Sequence, residues 1–210
     1  MNDGLVQQGD GVSRYPVIMY IRGHALVFGG GEVGMRKASS LSGLGVHVRL
    51  IDREDIVCEG DIEFIKADID NDSFLGFIDD ETSLVVCALD DAALNERIAS
   101  YCIDRSIPVN VATSRGSGDI AFPAIIDVGK DIIAVSSLAT CPQCAYALKR
   151  YIERGLPGIS TFSRIAHSLY DEGLLDRGLV ARMLDDKEIM ANIHEGRYDK
   201  VMELLRKDAT

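Results

Sequence analysis

Three glycines spaced as G-x-G-x-x-G, Gly29, Gly31 and Gly34, stand between an apolar run and a segment of helical periodicity. That placement suits a pyrophosphate. Gly29 permits a tight turn, Gly31 leaves room for backbone to approach phosphate, and Gly34 lets the following helix meet the strand. Asp52 lies 18 residues after Gly34, at the tip of a second apolar segment, where a carboxylate accepts hydrogen bonds from the adenosine ribose hydroxyls. The same charge repels a 2′-phosphate and so favours NAD over NADP, with Arg53 beside it pulling the other way. Glu32 and Val33 inside the glycine stretch, and Asp90 after a later apolar run, complete the candidate dinucleotide-binding set. The competing reading is a glycine turn that binds nothing; Asp52 and the flanking strand and helix speak against it.

A second chemical feature is Cys141-Pro142-Gln143-Cys144, a C-x-x-C at an expected helix N-terminus with Thr140 as cap. A helix dipole there lowers the Cys141 thiol pKa, which permits redox chemistry or half a metal site. No second C-x-x-C or histidine pair stands nearby, so packing residues without chemistry are expected. His24, His47, His167 and His194 are dispersed, and no metal site is expected; His24, beside the first strand, stands out among them. The acidic stretch 185–195 reads as a solvated helix face.

These residues need elements to hold them. Residues 25–28 read as a strand buried on both faces. After the glycines, Gly34, Ala38 and Leu41 recur at i, i+4 and i+7, a face of small residues suited to lying on a sheet, and Gly43 to Gly45 ends that helix. Residues 46–52 form a second strand, 62–64 suggest a third, and a short, poorly marked helix falls at 73–78. Residues 84–88 are a further apolar strand; Asp90-Asp91 leads into a helix with Leu94, Ile98 and Cys102 on one face, then to a strand at 109–111. This βαβ alternation predicts an α/β fold, a Rossmann-type doubly wound parallel sheet. The rhythm changes near residue 112 to a Gly/Ser-rich loop (113–118), two apolar strands at 120–126 and 132–135, and helices. The expected organisation is a loose tail (1–14), a nucleotide-binding domain (15–112), a small strand-containing segment (113–155) and a helical C-terminal region (156–210).

Composition excludes some partners. The formal net charge of −11, from 33 acidic against 22 basic residues, argues against wholesale binding to nucleic acid or an anionic membrane. No apolar run approaches the roughly 20 residues of a membrane-spanning helix, and the polar start lacks the features of a signal peptide, so a cytoplasmic protein is expected. Five cysteines at scattered spacings do not read as a disulfide framework, and reduced thiols are expected.

The stretches GHALVFGGGEVGMRKASSLSGLGVHV, VVCALDDAALNERIA, PVNVA and DIAFPAIIDVGKDIIAVSSLATCPQCAYALKRYIE resemble the precorrin-2 dehydrogenase family of sirohaem synthesis. The likeness runs in order from about residue 15 to 155, and beyond it only helical character is shared. The resemblance implies NAD-dependent oxidation of precorrin-2 to sirohydrochlorin, as a homodimer made largely by segment 113–155; some members also insert ferrous iron. Hydride transfer from a carboxylate-rich tetrapyrrole needs nearby cations. Arg115, Lys149 and Arg150 are the candidates, with Lys130 and Arg154 in the same block; a solvated face or interfacial salt bridges would explain each equally well.

One departure from the family pattern bears on catalysis. Many members carry an aspartate directly after N-V-x; here that position is Thr113, followed by Ser114. Neither hydroxyl is a base at neutral pH without help. The change favours dehydrogenation without iron insertion and leaves the proton to Asp119, to water, or to no dedicated group. Asp119 could equally be a loop cap. A non-catalytic dinucleotide- or tetrapyrrole-binding protein is the remaining alternative.

Overall fold

The computed structural model describes residues 15–112, 117–137 and 141–207, which fall into two compact units meeting in sequence between Phe122 and Pro123. In the first, β1 (His24–Phe28), α1 (Glu32–Ser42), β2 (Val48–Asp52), β3 (Ile62–Lys66), β4 (Thr82–Cys87), α2 (Ala92–Asp104) and β5 (Val109–Val111) follow in order. The strands are all parallel and lie in the order β3-β2-β1-β4-β5. Strand side chains alternate between faces. Ala25, Val27, Leu50 and Val86 pack with Ala38 and Leu41 of α1, while Leu26, Phe28, Val85 and Cys87 pack with Leu94, Ile98 and Cys102 of α2. Both faces are thus dry, which is why the strands read as continuous apolar runs.

Residues 15–22 form no strand, and Tyr15, Val17, Ile18 and Tyr20 are exposed; β1 already has β2 and β4 on its two edges. Two local expectations change. The short helix expected at 73–78 is a single 3₁₀ turn over Ser73–Gly76, anchored by buried Phe74. The strand expected from residue 120 starts at Ala124, after Pro123, which has no N–H to give a ladder. Residues 117–122 stay with the first unit: Asp119 N and Ile120 N donate to Val109 O, and Phe122 carries the Lys37 ammonium 4.4 Å from its ring centroid.

The second unit opens with an antiparallel pair, β6 (Ala124–Asp127) and β7 (Ile132–Val135), packed on α3 (Pro142–Gly155) through Ile126, Val128, Val135 and Ala145. Four helices follow: α4 (Ile159–Asp171), α5 (Arg177–Asp185), α6 (Lys187–His194) and α7 (Tyr198–Lys207). They enclose Ile165, Leu169, Met183, Ile189, Ile193 and Val201. The Asp131 carboxylate, in the β6–β7 turn, accepts from Ser163 Oγ and His167 Nε2 of α4, and those bonds hold its pKa below the ordinary value.

Candidate functional site

A cleft of about 890 Å³ follows the C-terminal ends of β1, β2, β3 and β4, where the chain turns one way after β1 and the other after β4. Open α/β sheets bind ligands at such a switch point. Its floor is the glycine loop. Gly29 has φ +98° and a Cβ there would lie 2.4 Å from Ala88 O, so no other residue fits. A Cβ on Gly34 would lie 1.8 Å from Gly29 O, so α1 can abut the loop only through glycine. A Cβ on Gly31 would meet nothing within 4 Å: it faces open space.

Gly31 is also the N-cap of α1, and no side chain caps that helix. The N–H groups of its first turn, Glu32, Val33 and Gly34, are therefore donors without intrahelical partners at the positive end of a helix dipole. They can hold an anion of pyrophosphate shape, and the missing Cβ at Gly31 supplies the room. Glu32 itself is exposed and leans back towards Arg36, 4.0 Å away.

Asp52, the last residue of β2, accepts from Gly30 N at 2.6 Å through Oδ2 and from Glu54 N at 2.8 Å through Oδ1. It ties the glycine loop to the end of β2 and keeps a further lone pair on each oxygen for a ribose hydroxyl. Asp90 lines the cleft, while its neighbour Asp91 is spent on α2, accepting from Ala93 N and Leu94 N.

Several cleft residues carry no motif. Asp68, Asp70 and Asn71, from the loop after β3, form one wall together with Arg97 of α2, which pairs with Asp72. Asn95 is fully buried and clasps the loop after β4, accepting from Leu89 N (3.1 Å) and donating to Leu89 O (2.8 Å). A polar residue on the buried face of α2 is the only sequence signal that marks Asn95.

The remaining sequence candidates separate. Thr113, Ser114 and Arg115, as well as Thr140, lie outside the described residues. Asp119 is exposed and its Oδ1 accepts from Val109 N at 2.7 Å, a backbone-holding role. Lys149 and Arg150 both reach Glu153 on their own helix (3.6 and 3.1 Å), and Lys130 reaches Asp171 at 3.3 Å. Among the histidines, His24 is buried at the start of β1, the opposite end of the sheet from the cleft, within 3.3 Å of Thr82 Oγ1 and 3.6 Å of Asp79.

The expectation of reduced thiols is corrected at one pair. Cys141 and Cys144 form a disulfide, their Cα atoms 5.2 Å apart, because i and i+3 at a helix N-terminus fall within bonding reach. Cys58, Cys87 and Cys102 are free.

Sheet order, glycine cradle and cleft define a dinucleotide-binding α/β domain. The family model described as “Putative NAD(P)-binding” matches residues 19–124, and the chain belongs to that family. It is 32% identical over 148 residues to siroheme synthase of Pseudomonas aeruginosa (strain LESB58), covering 68% of this chain and 30% of that protein. The corresponding enzyme of Pseudomonas fluorescens (strain Pf0-1) is 31% identical over 188 residues, 87% of this chain and 37% of its own length. The chain thus spans about a third of the curated relatives it matches. The solved structure of SirC, a precorrin-2 dehydrogenase, superposes with a TM-score of 0.64 at 17% identity, over 92% of this chain and 100% of that one, and shares its fold. Among the described residues no helix is long and apolar enough to cross a membrane.

Proposed function

We propose that the chain is an NAD-dependent dehydrogenase that oxidises precorrin-2 to sirohydrochlorin, working as a homodimer. The observation that carries the cofactor assignment is the uncapped start of α1 over the opening at Gly31, with Asp52 beside it. The names of its relatives, siroheme synthase and precorrin-2 dehydrogenase, carry the substrate. When bound, the nicotinamide supplies a two-electron hydride acceptor.

The chain's own residues hold and orient. N–H groups of Glu32, Val33 and Gly34 bind the pyrophosphate, and Asp52 binds the ribose hydroxyls. Asp52, Glu54, Asp68 and Asp70 make the adenosine end of the cleft acidic, which disfavours a 2′-phosphate and selects NAD. Lys149 and Arg150 receive substrate carboxylates by exchanging Glu153 for them. Thr113 and Ser114 would contribute hydroxyls rather than a base, which leaves the proton to the Asp119 carboxylate, to water or to no dedicated group.

Anaerobic incubation of the purified protein with precorrin-2 and NAD, followed by absorption spectroscopy, tests this directly. NADH and sirohydrochlorin should appear together; failure of either to form overturns the dehydrogenase reading in favour of simple binding. Ferrous iron added afterwards should enter no faster than without protein, because a hydroxyl is a poor ligand for ferrous iron compared with carboxylate or imidazole. Asp119→Asn should lower turnover with NAD affinity unchanged if that carboxylate takes the proton.

A further inference from the structure

We propose that Cys141 and Cys144 form a reversible thiol–disulfide exchange site at the N-terminus of α3, reacting with small or protein-borne dithiols. The bond spans only two intervening residues. A loop that short removes little freedom from the unfolded chain, so the crosslink is a weak staple. What it does have is the setting of a reactive pair.

Cys141 is the N-cap of a 14-residue helix, and its Sγ accepts the Cys144 N–H at 3.2 Å. A thiolate left on Cys141 keeps that hydrogen bond and faces the positive end of the helix dipole, which makes it a good leaving group. Cys144 is exposed while Cys141 is half-buried, so an incoming thiolate meets Cys144. The backbone at Cys141 is pinned independently of the bond: Ser137 Oγ donates to Cys141 O at 2.8 Å and accepts from Cys141 N at 3.0 Å. Opening the disulfide therefore leaves the helix start in place. Two other cysteines of the same chain are internal controls. Cys87 and Cys102 are buried in the sheet core, and burial pushes both thiols up, Cys102 to about 12.

The exchange balances as follows. A thiolate of the external dithiol attacks Cys144 Sγ; a bond forms between those sulfurs as the Cys141–Cys144 bond breaks, and its electron pair leaves on Cys141 Sγ. The second thiol of the reductant then attacks its own partner sulfur and releases Cys144. Two electrons and two protons pass to the cysteine pair, and the reductant ends as a disulfide.

The test equilibrates the native full chain anaerobically with mixtures of dihydrolipoamide and lipoamide. After acid quenching, a maleimide reagent counts thiols in denaturant. A single transition is expected from three reactive thiols, Cys58, Cys87 and Cys102, to all five, and it should vanish in Cys141→Ser and in Cys144→Ser. Five thiols at every ratio would show that no disulfide forms. Three at every ratio, rising to five only when denaturant precedes the reductant, would make the bond a structural staple; either result overturns the proposal. With glutathione in place of the dithiol, acid-trapped protein should carry the adduct on Cys144, and an adduct on Cys141 would overturn the assigned order of attack.

Discussion

At the N-terminal ends of the sheet strands, polar side chains are bonded to one another. Arg49 reaches His24, Asp79 and Glu63 at 3.5, 3.3 and 3.4 Å, Thr82 Oγ1 donates to Asp79, and His47 lies 3.1 Å from Asp61. At the C-terminal ends the carboxylates of Asp52 and Asp91 are bonded to backbone N–H groups, and α1 begins with no cap. The first arrangement is closed: the Arg49 guanidinium already faces the Asp79 and Glu63 carboxylates, so a ligand gains little by displacing them. The second keeps donors unspent at one helix start, α1, while filling the equivalent position on α2 with Asp91. Among the described residues of the cleft, an anion therefore meets bare helix donors at α1 and not at α2, and this difference between the two helix starts adds to what the glycines alone offer.

Making α1 resemble α2 should break the contrast most severely. Gly31→Asp places a carboxylate at the N-cap, in the space facing the cleft, where it takes the first-turn N–H groups for itself. NAD affinity should fall at least about a hundredfold, some 2.8 kcal/mol, with no loss of melting temperature. Calorimetric titration beside a thermal melt separates this from unfolding, and undiminished NAD binding would remove α1 from the site.

Asp52→Asn should have the next largest effect. It keeps one acceptor for Gly30 N but loses the charge, so NAD binding should weaken about tenfold, or 1.4 kcal/mol, while NADP binding weakens less. Titrations with both dinucleotides check this. Wild-type protein that binds NADP at least as well as NAD would show the acidic wall to be irrelevant to selection.

Emptying α2's N-terminus sharpens the comparison from the other side. Asp91→Ala removes two hydrogen bonds to the helix and should cost about 1 kcal/mol of stability, read as a melting temperature lower by about 4 °C. NAD affinity should change by less than about threefold, since the bare α1 start is untouched.

The smallest effect belongs to the closed end. Burial, opposed by Asp79, lowers the His24 pKa from its ordinary value of 6.5. As pH falls, the unfolded chain takes up the proton first, so stability is level above about 6.5, declines between there and the lower folded value, and then levels again. Urea unfolding between pH 7.5 and 5.5 should show that decline, and His24→Gln should flatten it. A flat wild-type profile would mean that neutral His24 contributes nothing.

The glycine cradle and Asp52 were legible because their spacing is dictated by backbone geometry: φ +98° at Gly29 and the 1.8 Å approach at Gly34 admit no alternative residue. The two-faced apolar strands were legible because burial on both sides leaves no alternation to confuse. Asp68, Asp70, Asn71 and Arg97 were not, since they reach the cleft from an aperiodic loop and a helix flank whose placement follows from sheet order rather than local pattern. The disulfide was missed for a different reason. Scattered cysteines argue against a framework, but a C-x-x-C pair needs no framework, only one helical turn.

Asn95 gives the cleft a property that its lining residues alone would not. Its amide presents one donor and one acceptor to the N–H and C=O of Leu89, the same pair that a neighbouring peptide unit would present. Past the end of β4 the backbone thus has a surrogate ladder partner supplied by α2, and the wall bearing Asp90 and Asp91 is tied to that helix. A dinucleotide entering the cleft meets a wall that is already shaped, so little conformational entropy remains to be surrendered there on binding.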